Sequence, residues 1–135
     1  MQLPKPTDTL ADCVWLPRIL KKARLLTAGA LPAEFAERFC HPSGVDGEFL
    51  RFFDLTKEDI LRLSALTDPE VVEWFHADPS RNAKIPEWNR VAQNLGRPGF
   101  PMADRLPVAL SRTYRHVAHL NPQTVFEVLE ADDAS

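Results

Sequence analysis

The chain has 135 residues, of which 44% are apolar and 26% charged, ordinary values for a single globular domain. It has no apolar run near the roughly 20 residues that cross a bilayer, no signal-peptide pattern, and only two cysteines. These features exclude membrane-spanning and disulfide-rich classes, and they predict a cytoplasmic protein with no membrane partner.

The net charge of −3 is distributed in blocks along the chain. Residues 1–30 carry a balance of +3, residues 31–80 of −7, residues 81–120 of +5, and the last fifteen of −4. Such blocks can pair internally, bind a partner of opposite charge, or bind a second copy of the chain.

The N-terminal part of the chain predicts an arm followed by two helices. Residues 1–9 contain two prolines and no periodic pattern, which predicts a loose arm, and residues 9–15 could open a short helix. A stronger helix runs from Pro17 to Gly29, with Pro at its start and Gly as its stop. A short helix follows from Pro32 to Cys40, and residues 40–47 form a turn-rich connection.

Residues 46–76 contain the densest apolar stretch, at helical spacing, and predict three short helices. Thr56 is a candidate N-cap, with Asp59 three residues later as an acidic variant of the capping box. Asp68 is the next candidate N-cap, with Pro69 at the first helical position. This stretch is therefore expected to form the core.

The C-terminal part predicts a polar loop at 77–84, a helix from Pro86 to Gly96, and a longer helix over roughly 102–120. Pro107 requires the long helix to begin near residue 106 or to kink. Residues 124–129 fit either a short helix or an edge strand, and residues 130–135 form an acidic tail. The whole pattern predicts a compact all-α single domain, 1–135, of six or seven short helices.

Few residues suggest catalysis or metal binding. His116 and His119 lie one turn apart on a predicted helix, but a zinc site needs three or four ligands, so they are only weak metal candidates. Cys40 and His41 are adjacent, which directs their side chains apart and argues against a Cys–His catalytic pair. The sequence contains no phosphate-binding glycine loop. It therefore predicts no catalytic residue, no metal site and no cofactor.

A basic cluster on the first main helix, Arg18, Lys21, Lys22 and Arg24, is the strongest binding candidate. It could hold a small anionic ligand through charge-assisted hydrogen bonds, or it could pair with the acidic block inside the protein. Arg105, Arg112 and Arg115 could add to it in a nucleic-acid binder, although a pI near 5.8 argues against that class. The three tryptophans are expected to be buried core anchors. The alternative for the tryptophan beside Asn89 is a place at the rim of a pocket, and the sequence pattern would be the same.

The order of several landmarks resembles a bacterial family known as domain of unknown function 5069. The landmarks are Trp15-Leu16-Pro17-Arg18, Lys22-Ala23-Arg24, Ala28-Gly29, Phe49-Leu50, Asp68-Pro69-Glu70-Val71, Trp74 and Trp88-Asn89. The resemblance implies a recurring set, Arg18, Lys22, Arg24, Trp88 and Asn89, which would build a polar site or lock helices together. In that family the position before Lys22 is commonly acidic, whereas this chain has Lys21 there. The resemblance implies no activity.

Three functional hypotheses follow from these observations. The first is a non-enzymatic binding or protein-interaction module that takes a protein partner, a second copy or a small anionic ligand. The second is a small enzyme acting on an anionic metabolite, with Arg18 and Lys22 as substrate clamps. The third is a nucleic-acid binder, which would lose affinity steeply as salt is raised.

Overall fold

Helices dominate the computed structural model, which describes residues 2–135, and the all-α prediction is confirmed. The elements in chain order are β1 (Thr9–Leu10), β2 (Cys13–Val14), α1 (Leu16–Thr27), α2 (Ala33–Arg38), α3 (Val45–Phe53), α4 (Lys57–Ser64), α5 (Asp68–Ala77), α6 (Pro79–Gln93), α7 (Arg105–Ser111), a 3₁₀ helix (Arg115–Leu120) and α8 (Val125–Ala134). No helix in this described part of the chain has the length and apolar character needed to span a membrane.

The chain divides into two compact units within α6. The first unit ends at Trp88, and the second comprises Asn89–Ser135. Each unit has its own buried apolar side chains, from α1 and α3 to α6 in the first and from residues 92–128 in the second.

Residues 9–15 form a two-stranded hairpin and not the short helix that the sequence suggested. β1 and β2 pair antiparallel, with Thr9 opposite Val14 and Leu10 opposite Cys13. The two residues between them, Ala11 and Asp12, have φ values of 54° and 60°, as a type I′ turn requires. Ala-Asp is not the usual Asn-Gly pair of such turns, so a hairpin could not be predicted from these residues.

The N-terminal arm is held against this hairpin and α1. Pro6 is buried, and its carbonyl accepts a hydrogen bond from the backbone N–H of Trp15 at 3.0 Å. Asp8 closes a local turn, because its carboxylate accepts the backbone N–H of Lys5 at 3.0 Å. These bonds fix the path by which the arm enters the fold.

Helix α1 runs through the first unit and presents its apolar face to the core. Leu16, Ile19, Leu20 and Ala23 are buried at helical spacing, and α1 packs mainly against α4. The helix also buries two cations, Arg18 and Lys22, on a different side from these apolar residues.

Two capping boxes fix the starts of α4 and α5. The predicted Thr56–Asp59 box is confirmed: Asp59 N–H donates to Thr56 Oγ1 at 3.2 Å, and Thr56 N–H donates to Asp59 Oδ2 at 2.9 Å. For α5 the predicted N-cap, Asp68, is wrong by one residue. Thr67 is the N-cap and forms a box with Glu70, because Thr offers its hydroxyl at the correct spacing from a glutamate.

These boxes predict an acid-dependent loss of stability. The backbone N–H groups of Thr56 and Thr67 lower the pKa of Asp59 and Glu70 below their ordinary values of 3.8 and 4.5. A carboxyl whose pKa is lower in the folded state stabilises the protein above its unfolded-state pKa, and this contribution is lost as the pH falls through the folded-state pKa.

We therefore expect the free energy of unfolding to fall from about pH 5 to about pH 3, and to fall less in Asp59→Asn/Glu70→Gln. Urea unfolding at each pH measures this. Identical pH profiles for the two proteins would show that the caps do not carry the effect.

An aromatic cluster forms the centre of the first unit. The ring of Trp88 lies 5.4 Å from that of Phe49, 5.5 Å from Phe52 and 6.1 Å from Phe53, measured between centroids. Phe53 in turn contacts Phe75 at 5.7 Å, mostly in edge-on arrangements that suit aromatic pairs. The expectation that residues 46–76 build the core is confirmed by these contacts.

Helix α6 begins seven residues earlier than the sequence predicted. It starts at Pro79, and Asp78 caps it by accepting the backbone N–H groups of Ser80 and Arg81 at 2.9 and 3.3 Å. Asp-Pro is a helix start signal, and the predicted polar loop at 77–84 is therefore wrong. Pro86, which was predicted to begin this helix, lies inside it.

In the second unit the predicted helix over 102–120 is replaced by two short elements. α7 ends at Ser111, and Arg112 leaves the helical region with φ −130° and ψ −99° before the 3₁₀ helix begins. Pro107 lies in the first turn of α7, where its missing N–H costs nothing. Of residues 124–129, for which the sequence fits either a helix or a strand, Thr124 is the N-cap of α8 and the others lie in this helix, which also includes most of the acidic tail.

Candidate functional site

A buried ion pair joins α1 to the start of α3. Lys22 Nζ lies 2.8 Å from both carboxylate oxygens of Asp46, and both residues are less than a tenth exposed. An ion pair at this depth must satisfy its remaining polar atoms, because removing two charges from water is costly.

Asp46 receives that additional support from two further donors. The indole Nε1–H of Trp15 donates to its Oδ1 at 2.8 Å, and the backbone N–H of Cys40 donates to its Oδ2 at 2.9 Å. The carboxylate therefore connects the residue before α1, the middle of α1 and the turn after α2. Sequence reasoning missed Asp46 because an acid in the first turn of a helix is normally a surface residue.

The turn from Cys40 to Gly47 brings this carboxylate into position. Gly47 lies so close to the turn that a Cβ atom there would be 2.5 Å from the Pro42 carbonyl oxygen and 2.6 Å from that of His41. Real Cβ atoms do not approach backbone oxygens that closely, so this packing requires glycine. The close approach allows Asp46, one residue earlier, to reach the Cys40 N–H.

Arg18 lies next to this network and is 3% exposed. It donates to the carbonyl of Pro4 at 3.0 Å, which ties the N-terminal arm to α1. Arg18 and Lys22 also lie 5.5 and 5.0 Å from the centroid of the Trp15 ring, within range of cation–π attraction. Trp15 thus brings two of the predicted site residues together.

Arg24 lies in a separate place and joins α1 to the segment between α4 and α5. It donates to the carbonyls of Ser64 and Leu66 at 3.3 and 3.0 Å and to Asp68 Oδ1 at 2.9 Å. The predicted cluster of bases is therefore divided between two sets of internal partners. Lys21 alone among its members is exposed to solvent.

Trp88 and Asn89, the other two members of the recurring set, lie in α6. Trp88 is 1% exposed and donates its Nε1–H to the carbonyl of Val14 at 2.9 Å, which closes α6 onto β2. This is the arrangement expected of a core anchor. Asn89 is half-buried and is the first residue of the second unit.

Cys40 and His41 have separate environments, as their adjacency predicted. Burial, together with the charge of Asp46, raises the pKa of the Cys40 thiol to about 12, so it stays protonated at neutral pH. His41 is exposed, and its Nδ1 accepts the backbone N–H of Ser43 at 3.1 Å in a local turn. Burial also raises the pKa of Cys13 to about 12.

His116 and His119 lie on the 3₁₀ helix of the second unit. His116 Nε2 is 2.7 Å from Asp132 Oδ1 on α8, which links these two elements. Within residues 2–135 no group of three or more His, Cys, Asp or Glu side chains is arranged to hold a metal ion.

The chain is therefore an all-α protein in which a buried lysine–aspartate pair and an aromatic core hold the elements of the first unit together. The chain belongs to the family described as domain of unknown function (DUF5069), whose family model matches residues 2–135. The resemblance noted in the sequence is confirmed at the level of the family. No curated protein and no solved structure matches the chain.

Proposed function

We propose that the chain is a non-enzymatic protein-interaction module whose second unit binds an acidic segment of a protein partner. The observation that carries this proposal is the exposure of two large apolar side chains on neighbouring elements. Val108 on α7 is 50% exposed, and Leu120 at the end of the 3₁₀ helix is 58% exposed. Exposed apolar side chains supply the anchors of protein interfaces.

The charge of the segment that contains these side chains indicates the chemistry of the partner. The segment Arg105–Leu120 contains three arginines and no acid. The guanidinium groups of Arg112 and Arg115 are exposed and form no hydrogen bond or ion pair with any residue of the described chain. A partner that presents carboxylates around an apolar anchor complements this surface, which we call the basic-apolar surface (Val108, Arg112, Arg115 and Leu120).

The buried cations of the first unit already have partners inside the protein, which also favours a binding surface on the second unit. Lys22 is paired with Asp46, and Arg24 with Asp68, so these cations already have internal partners. An anionic ligand at Lys22 would have to displace a buried carboxylate held by three donor groups. Within the predicted basic cluster only Lys21 is exposed, whereas Arg112 and Arg115 of the second unit are both exposed and lie in the same segment as Val108 and Leu120.

The principal alternative is a small enzyme acting on an anionic metabolite. It would use Arg18 and Lys22 as substrate clamps, and both are at least nine-tenths buried. The nearby thiol of Cys40 stays protonated at neutral pH, because burial raises its pKa to about 12. These two properties favour the interaction module over the enzyme.

A nucleic-acid binder is the third candidate. The second unit contains five arginines, but it also contains five acids, Asp104, Glu127, Glu130, Asp132 and Asp133. Its formal charge is therefore zero, whereas binding to a phosphate backbone depends on a positive field.

We further propose a cytoplasmic location in a bacterial cell. Both cysteines are free thiols, which fits a reducing compartment, and the family resemblance is to a bacterial family. Fractionation of cells that produce the protein tests the location, and recovery of the protein outside the cytoplasm would contradict it.

The interaction is tested with a fluorescein-labelled helical peptide that has Leu at i, i+3, i+4 and i+7 and Glu elsewhere. We expect binding at low salt, at least tenfold weaker binding by Arg112→Glu/Arg115→Glu, and severalfold weaker binding by Leu120→Ser. Lys57→Glu, a charge reversal on an exposed residue of α4, is the matched control and should bind normally.

Three results would contradict the proposal. They are no peptide binding at submillimolar concentration, equal binding by the double variant and the control, and tighter binding of a twelve-nucleotide oligothymidine than of the peptide. Circular dichroism of each variant establishes that it is folded. Tighter binding of the oligothymidine than of the peptide would favour the nucleic-acid hypothesis.

A further inference from the structure

A depression of about 250 Å³ lies between the N-terminal arm, the hairpin and α1 of the first unit. Its apolar lining comes from Pro4, Leu10, Pro17 and Leu20, and its charged lining from Lys21, Arg24 and Asp68. It is smaller than the roughly 300–1,000 Å³ of pockets that take drug-sized ligands. Its size suits a single ring or a short chain.

We propose that this depression binds a small monocarboxylate with an apolar body, with Lys21 as the charge partner. The apolar lining would contact the body of the ligand, and the carboxylate would lie at the charged side. This site is distinct from the basic-apolar surface of the second unit.

The charge of the lining determines the class of ligand. Arg24 and Asp68 neutralise each other through their 2.9 Å ion pair, so the lining has one cation in excess. The Lys21 ammonium is exposed and has no hydrogen bond or ion pair within residues 2–135. One available cation matches a monoanion, whereas a phosphate dianion would leave charge uncompensated in a mostly apolar site.

Arg24 prepares one wall of the depression before a ligand arrives. Its guanidinium is fixed by the carbonyls of Ser64 and Leu66 as well as by Asp68. A wall that is already ordered loses little conformational entropy on binding. Pro4, another lining residue, is also held in place, because Arg18 donates a hydrogen bond to its carbonyl at 3.0 Å.

The test is a titration of the protein with benzoate, followed by amide chemical shifts in two-dimensional NMR. We expect saturable shifts confined to residues around the depression, with a dissociation constant on the order of 1 mM. Benzyl alcohol keeps the ring but lacks the charge, and inorganic phosphate keeps a charge but lacks the ring. Both should bind at least tenfold more weakly.

Variants at the charged side complete the experiment. Lys21→Met keeps most of the apolar stem and should weaken benzoate binding about tenfold, whereas Lys21→Arg should restore it. Lys57→Met, which removes an exposed lysine elsewhere in the same unit, should bind like the parent protein. Lys21 is exposed and unpaired, so both Lys21 variants should keep the parent melting temperature.

The proposal is overturned if benzoate causes no saturable shift at 20 mM (about twenty times the expected constant). It is also overturned if Lys21→Met binds as well as Lys57→Met, or if benzyl alcohol binds as well as benzoate. None of these results bears on peptide binding by the second unit, so the two proposals fail independently.

Discussion

Replacing Asp46 by alanine should lower the free energy of unfolding by about 3–5 kcal/mol, because the change leaves the Lys22 ammonium buried without a counter-charge. The Trp15 indole and the Cys40 N–H would lose their acceptor at the same time. Urea denaturation at neutral pH measures this. Glu73→Ala, which removes an exposed acid from α5, is the matched control and should change stability by less than about 0.5 kcal/mol.

A double-mutant cycle with Lys22→Met separates the ion pair from the other contacts of Asp46. If the cost of Asp46→Ala comes mainly from an uncompensated buried ammonium, the double variant should be less destabilised than the sum of the two single changes. Additive effects would mean that the pair contributes little beyond its packing. An Asp46→Ala protein within about 1 kcal/mol of the parent would contradict the buried-pair interpretation altogether.

Gly47→Ala should destabilise the protein by about 2–3 kcal/mol, although helix propensity alone predicts the opposite sign. Alanine in place of glycine inside a helix normally stabilises by roughly 0.5–1 kcal/mol. Here the new Cβ would meet the carbonyl oxygens of Pro42 and His41 at 2.5 and 2.6 Å. These are backbone atoms that move only with the whole turn, so overpacking should exceed the propensity gain.

Gly44→Ala is a suitable comparison three residues away. Its added Cβ would meet the guanidinium end of Arg38 at 3.2 Å, and a flexible side chain can move aside. We expect a loss of no more than about 1 kcal/mol, most of it from replacing glycine at a helix N-cap. Thermal unfolding of both variants measures the difference. A Gly47→Ala protein at least as stable as the parent would show that the backbone at His41 and Pro42 can move to accommodate the Cβ atom at little cost.

The sequence predicted those features of the fold that depend on residues close together in the chain. The capping box of Thr56 and Asp59 needs only the right side chains three residues apart, and it forms as predicted. The apolar face of α1 and the core stretch 46–76 follow from helical spacing in the same way. The errors in this class range from one residue at the N-cap of α5, where Thr67 replaces Asp68, to seven residues at the start of α6.

The rest depended on contacts between distant residues. Nothing near Asp46 in the sequence indicates that Lys22, 24 residues earlier, is its partner, and burial of a charge opposes its usual preference for the surface. The hairpin at residues 9–14 uses Ala11 and Asp12 where glycine and asparagine are usual. The division of the basic cluster between two sets of internal partners therefore required the structure.

The hydrogen bond from Trp88 to Val14 has a consequence for synthesis of the protein on the ribosome. It joins residues 74 positions apart, so β2 cannot complete its contacts until α6 has left the exit tunnel. Until then the Val14 carbonyl lacks its donor, and the phenylalanines of α3 lack the indole that covers them. The first unit must therefore fold late in its own translation, and a nascent chain that ends before Trp88 exposes the aromatic core to solvent and to chaperones.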